Sequence, residues 1–197
     1  MALMSLFVSK QQNCKLTKLR HERLLVGNSF ICFLSGASGA GKTTIVEKLK
    51  TSNRFPDSVF LHFDSIGVPS VEEMIEQAGS GKKWQELTTY RWIEKIVSEC
   101  EDERIVVIEG QTDLDFIEAA CRKFKITKYL IILIDCNWKA MEERLLHARQ
   151  QPELVNQDMK NWADFLRKQA QCKKLPIINT SHLSLEQAVE SISEIIT

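Results

Sequence analysis

At 197 residues the chain has the length of one ordinary domain, and 44% apolar with 26% charged residues falls in the globular range, which excludes disordered, collagenous and coiled-coil architectures. Twenty-six Lys and Arg offset 26 Asp and Glu to a formal net charge of zero, so no bulk field draws in nucleic acid or anionic lipid and a dedicated DNA-binding role is disfavoured. The longest apolar runs, such as 129–134, fall well short of the roughly 20 residues that span a bilayer, and residues 1–8 lack the basic lead and cleavage site of a secretion signal.

The six cysteines, Cys14, Cys32, Cys100, Cys121, Cys136 and Cys172, form no CxxC pair and have no histidine at zinc spacing. They read as buried small apolar side chains in a reducing compartment, so a cytoplasmic protein with no membrane partner is expected. Residues 1–28 carry Lys10, Lys15, Lys18, Arg20 and Arg23 against Glu22. They read as a basic N-terminal extension, solvated or packed on the sheet, ahead of a domain covering 29–197.

From residue 30 onward, short apolar runs alternate with helical patterns. The runs 30–35, 58–63, 104–108, 128–134 and 176–179 are mostly continuous rather than alternating, as strands buried on both faces are. Trp84, Leu87, Ile93, Ile96 and Val97 follow helical spacing, as do Trp138, Met141, Leu145 and Ala148, and then Met159, Trp162, Ala163, Leu166 and Ala170. Ser184 with Gln187 makes a capping-box start for a helix over 185–195. Five strands separated by helices imply right-handed crossovers and a three-layer α/β fold with a parallel sheet, whose ligands collect at the carboxyl ends of the strands.

After the first run comes Gly36, Ala37, Ser38, Gly39, Ala40, Gly41, Lys42, Thr43, a complete GxxxxGK[ST] leading straight into a helical pattern. Gly36 and Gly41 are expected to supply backbone dihedrals closed to other residues, so that successive N–H groups curl around a phosphate chain backed by a helix N-terminus. Lys42 then reaches the outer phosphates, and the Thr43 hydroxyl takes one position on Mg2+. The ligand is read as a nucleoside triphosphate with Mg2+.

Two strand-end carboxylates join the loop. Glu109 closes the third run and is the candidate second metal-side group; Asp64 follows the second run and is the candidate base for an attacking hydroxyl, or a further Mg2+ group. A solvated strand end for Glu109 and a turn cap for Asp64 are the competing readings. His62, two residues before Asp64, is read as structural. The stretch 64–67 also spells DxxG, but no NKxD motif follows the later strands and 42–64 leaves no room for a switch segment, which excludes a GTPase.

Arg144 and Arg149 lie on a helix after the fourth run, with Pro152 marking its end, and are read as cations that clamp the transferring phosphate, Arg149 from a segment able to close over the nucleotide. A solvated helix face competes at each. Residues 79–83 read as a loop that its two glycines allow to move. Beyond it, Gln85, Thr88 and Arg91 are candidates for acceptor recognition, and Trp84 and Trp92 read as core.

Together these features resemble the small P-loop kinases: adenylate, gluconate and shikimate kinases, and the chloramphenicol phosphotransferase and zeta-toxin group. The resemblance rests on 36–44, including Thr44, on Asp64, on Arg144 and Arg149, and on Asn179, Thr180 and Ser181; residues 64–69 with Trp84 and Gln85 are similar to bacterial members of that group. It implies the P-loop NTPase fold with sheet order 2-3-1-4-5, an acceptor region near 65–100, a lid near 144–160, lid arginines on the phosphates, and Thr180 and Ser181 beside the adenine. The arginines with which nucleoside monophosphate kinases hold a phosphorylated acceptor are missing except for Arg91, so an acceptor without phosphate is expected. The leading reading is ATP- and Mg2+-dependent transfer to a hydroxyl of a small molecule, a nucleoside, sugar or related metabolite, by a monomer or homodimer. An NTPase switch with water as acceptor and a nucleotide-binding interaction module remain as alternatives.

Overall fold

The computed structural model describes residues 29–100 and 104–197; the basic extension lies outside the described residues. Five strands, β1 (Phe30–Ser35), β2 (Val59–His62), β3 (Ile105–Gly110), β4 (Tyr129–Asp135) and β5 (Ile177–Asn179), form one parallel sheet in the order β2-β3-β1-β4-β5. The connecting helices are α1 (Lys42–Thr51), α2 (Val71–Ala78), α3 (Gly81–Glu99), α4 (Leu114–Lys123), α5 (Trp138–Glu143), α6 (Gln157–Lys173) and α7 (Leu185–Ile196).

The continuous apolar strands follow from burial on both sides of the sheet. Cys32 and Leu34 of β1 face a cluster with Ile45, Val46 and Leu49 of α1 and Ala188, Val189 and Ile192 of α7. Ile31 and Phe33, one residue out of phase, face Ile93 and Ile96 of α3 with Leu114 and Ile117 of α4. The capping box at Ser184 and Gln187 opens α7 as the sequence indicates, and a second one, Ser70 with Glu73, opens α2.

Two local expectations change. Gly81, Lys82 and Lys83 form the first turn of α3, capped by the Ser80 hydroxyl accepting from the Lys83 N–H, so the expected mobile loop shrinks to the Gly79-Ser80 junction. Cys32, Cys121 and Cys136 are buried but Cys172 is exposed; burial pushes the Cys32 and Cys121 thiols up to about 12, which makes them inert packing groups. Among the described residues no helix is long and apolar enough to cross a membrane.

Candidate functional site

The phosphate loop joins β1 to α1 at the carboxyl edge of the central strand. Gly39 and Gly41 take positive φ of 81° and 99°, which curls the loop. Gly36, contrary to the sequence expectation, does not have a positive φ. A Cβ there would lie 2.2 Å from the Ile134 carbonyl oxygen, so its missing side chain lets the loop pass against β4. The start of α1 has no side-chain cap and no acid in its first turn, which leaves its free N–H groups to an anion.

The loop is braced from outside the cleft it forms. Arg144 donates through Nη1 to Thr180 Oγ1 at 2.9 Å and the Gly39 carbonyl at 3.3 Å, and through Nη2 to the Thr180 carbonyl at 2.7 Å. Thr180 is buried, its hydroxyl 2.9 Å from the Ala40 carbonyl. The Ser181 hydroxyl accepts from the Asn137 N–H, and Ser38 donates through N–H and hydroxyl to Gln111 Oε1. Arg144 and Thr180 thus brace the loop in this arrangement, and neither they nor Thr44 and Ser181 line the cleft that holds Lys42.

That cleft, about 350 Å³, is bounded by Lys42, Thr43, Asp64, Glu109 and Arg149, with Trp84, Gln85 and Gln111 along its far wall. Lys42 is buried with its Nζ donating to the Ala37 carbonyl at 3.0 Å; desolvation lowers its pKa, while the charges of Glu109 and Asp64 oppose that shift. Asp64 sits on the short 3-10 turn Phe63–Ile66 rather than at the strand end. Trp92 Nε1 donates to the Phe63 carbonyl at 3.0 Å, and Phe63 Cβ would lie 2.5 Å from a Cβ at Gly110, so that glycine lets the turn close against β3. Desolvation first, and the neighbouring Glu109 charge second, push the Asp64 carboxyl above the usual carboxylate range, although Lys42 and Arg149 pull the other way.

Thr43 Oγ1 donates to Glu109 Oε1 at 3.0 Å, and Glu109 is buried at the end of β3. A hydroxyl that gives its proton to a carboxylate keeps its lone pairs for a cation, so the pair suits Mg2+, which binds through few protein oxygens and retains waters. Among the described residues no three His, Cys, Asp or Glu side chains are grouped to hold a metal ion.

A second chamber of about 540 Å³ adjoins the first, sharing Gly81, Gln85 and Gln111 in its lining. Trp162 and Phe165, stacked at 5.3 Å, form one wall; Asp113, Asp158, Asn161 and Lys82 complete it. Gln85 fixes the partition, donating to the Gln111 carbonyl at 2.9 Å and accepting from the Asp113 N–H. Arg91 and Thr88 line neither chamber, Arg91 being exposed and Thr88 buried in the helix packing, so of the three acceptor candidates only Gln85 reaches the site. Gln111, Trp162 and Phe165 were not legible as site residues, since nothing in their local spacing distinguishes them from loop and helix residues.

The sheet order, the loop and the helices on both faces define the fold of small P-loop kinases. Solved structures agree in fold. A shikimate kinase from Bacteroides thetaiotaomicron is 20% identical with TM-score 0.54, covering 85% of this chain and 98% of its own. The shikimate kinase from Acinetobacter baumannii in complex with shikimate is 14% identical with TM-score 0.51, covering 90% and 96%. The tunicamycin resistance protein of Deinococcus radiodurans is 18% identical with TM-score 0.55, covering 85% and 95%. No protein-family model and no curated protein sequence matches the chain.

Proposed function

We propose that the protein transfers the γ-phosphate of ATP, with Mg2+, to a hydroxyl of an uncharged small molecule. The observation that carries this reading is the gathering of Lys42, Thr43, Asp64, Glu109 and Arg149 around one cleft, with Gly81, Gln85 and Gln111 lining both it and an adjoining aromatic-walled chamber.

In this reading the loop's backbone N–H groups that no protein oxygen takes and the ammonium of Lys42 hold the phosphates, and Arg149 reaches the transferring group. Asp64 accepts the acceptor hydroxyl proton as its oxygen bonds to the γ-phosphorus; the bond from that phosphorus to the bridging oxygen breaks and ADP leaves. A carboxyl held above its ordinary value is better matched to that proton than an unperturbed one. Thr43 and Glu109 are the groups that would hold Mg2+, which when bound neutralises charge on the phosphate oxygens.

The chamber offers a stacked aromatic face, amides and carboxylates, with Lys82 as its cation. Such walls suit a hydroxylated ring, a nucleoside or sugar, rather than a phosphorylated or carboxylated acceptor, which calls for a bidentate arginine. The acceptor in this reading is a cytoplasmic metabolite.

The test is incubation with γ-labelled ATP, Mg2+ and a small-molecule cell extract, with every labelled product resolved. Label in a metabolite is expected. Asp64→Asn should lower transfer by about 100-fold or more while ATP affinity stays near wild type. Label released only as inorganic phosphate assigns water as the acceptor, and transfer retained in Asp64→Asn removes the base.

A further inference from the structure

A histidine that the reaction does not use stands against Glu109. His62 ends β2 in direct register with Glu109 on β3. Its Nδ1 lies 2.8 Å from Glu109 Oε1, the same oxygen that receives the Thr43 hydroxyl proton at 3.0 Å, and its Nε2 lies 3.2 Å from Glu47 Oε1. Glu47 stands four residues after Thr43, on the same face of α1. The imidazole thus links three elements, β2, β3 and α1, at the point where Thr43 and Glu109 meet.

We propose that His62 is a positioning residue for the metal-side carboxylate. An ionised carboxylate only accepts, so Nδ1 is the donor to Glu109. With Oε1 held by two donors, the Glu109 carboxylate has one orientation, and Oε2 is the oxygen left for the metal's shell. A carboxylate on a buried strand end otherwise rotates about its terminal torsion, which is broad and roughly two-fold, and binding a metal would have to fix it. The ring spares the metal that cost, as partners of metal-side ligands do elsewhere, where their loss weakens metal binding about 10- to 100-fold.

This inference rests on the Mg2+-nucleotide reading of the cleft, and the experiment separates the two. The probes are ADP in EDTA, followed by titration calorimetry, and Mn2+ added to the protein-ADP complex, with free Mn2+ read by electron paramagnetic resonance. His62→Ala is expected to weaken Mn2+ binding about tenfold or more while ADP affinity in EDTA stays within twofold of wild type. His62→Asn, whose amide nitrogen stands where Nδ1 does, should recover most of the loss, which a merely structural role would not predict.

Mn2+ affinity unchanged in His62→Ala overturns the positioning role. So does an equal loss of ADP affinity in EDTA, which marks general damage to the loop, or a loss in His62→Asn as large as in His62→Ala. Wild-type protein that binds no ADP at all overturns the nucleotide site, and the positioning role with it.

Discussion

Single residues decide whether the loop and the cleft have the right shape. Gly36 is needed for closeness rather than for an unusual dihedral, so Gly36→Ala should cost about 1–3 kcal/mol by urea denaturation and displace the loop from β4; an unchanged midpoint would show that the backbone yields without cost. Asp64 carries a linkage consequence. Its folded pKa lies above the unfolded value, about 3.9, so between the two the native state binds more protons and stability falls as pH rises. The contribution is fully present below the unfolded pKa and lost once pH passes the folded one. Asp64→Asn has no such titration, so its melting temperature should gain on wild type as pH climbs through that window and keep the gain at neutral pH. A difference between the two proteins that is flat in pH would contradict the shift. An inactive but stabilised variant is what a site strained for chemistry produces.

At the scale of elements, the turn after α5 shows how backbone geometry selects a side chain. Arg144–Ala148 forms a π-type turn, closed by the Arg149 N–H on the Arg144 carbonyl at 3.0 Å. The five-residue turn brings Arg149 round to the side already occupied by Arg144, where an α-helical turn would place residue 147 or 148. Arg144 then braces the loop while Arg149, exposed and without a side-chain hydrogen bond or ion pair among the described residues, lines the cleft. Arg149→Ala is expected to lower transfer about 100-fold with no change in melting temperature. A stability loss of the same variant would mean that the side chain serves the fold. The sequence favoured Arg149 for its place beside the break at 150–152 but read both arginines as lid cations, because helical spacing alone carries no sign of a widened turn.

For the whole molecule, the outer helix layer is tied to the sheet by a charge pair as well as by apolar contact. Arg167 of α6 donates from Nε to Asp135 Oδ2 at 2.7 Å and from Nη2 to Oδ1 at 3.0 Å, and Asp135 is buried at the end of β4. The guanidinium's own pKa is raised first by this hydrogen bond. Arg167→Ala leaves a buried carboxylate without its partner and should cost about 2–3 kcal/mol in urea denaturation. Because α6 also carries Trp162 and Phe165 of the second chamber, that variant should lose acceptor affinity before it loses ATP affinity. Equal losses of both would show that the pin supports the whole sheet rather than the chamber.

The sequence by itself determined the five strands, the crossovers and the phosphate loop, because these depend on local terms: apolar runs of strand length, a glycine-rich turn, and capping pairs such as Ser184 with Gln187. It also supplied Asp64, Glu109 and Arg149 as chemistry-bearing residues that the fold brings into one cleft. What it could not supply were relations between distant segments. The contact of His62 with Glu109 depends on the register of β2 against β3, and Gly36's role depends on the carbonyl of β4. The bracing of the loop by Thr180 and Arg144, and the meeting of Gln111 with Trp162 and Phe165 around one chamber, depend on segments folded onto one another over tens of residues. Periodicity reports which face of an element is buried; only the tertiary structure decides which residue of another element meets it.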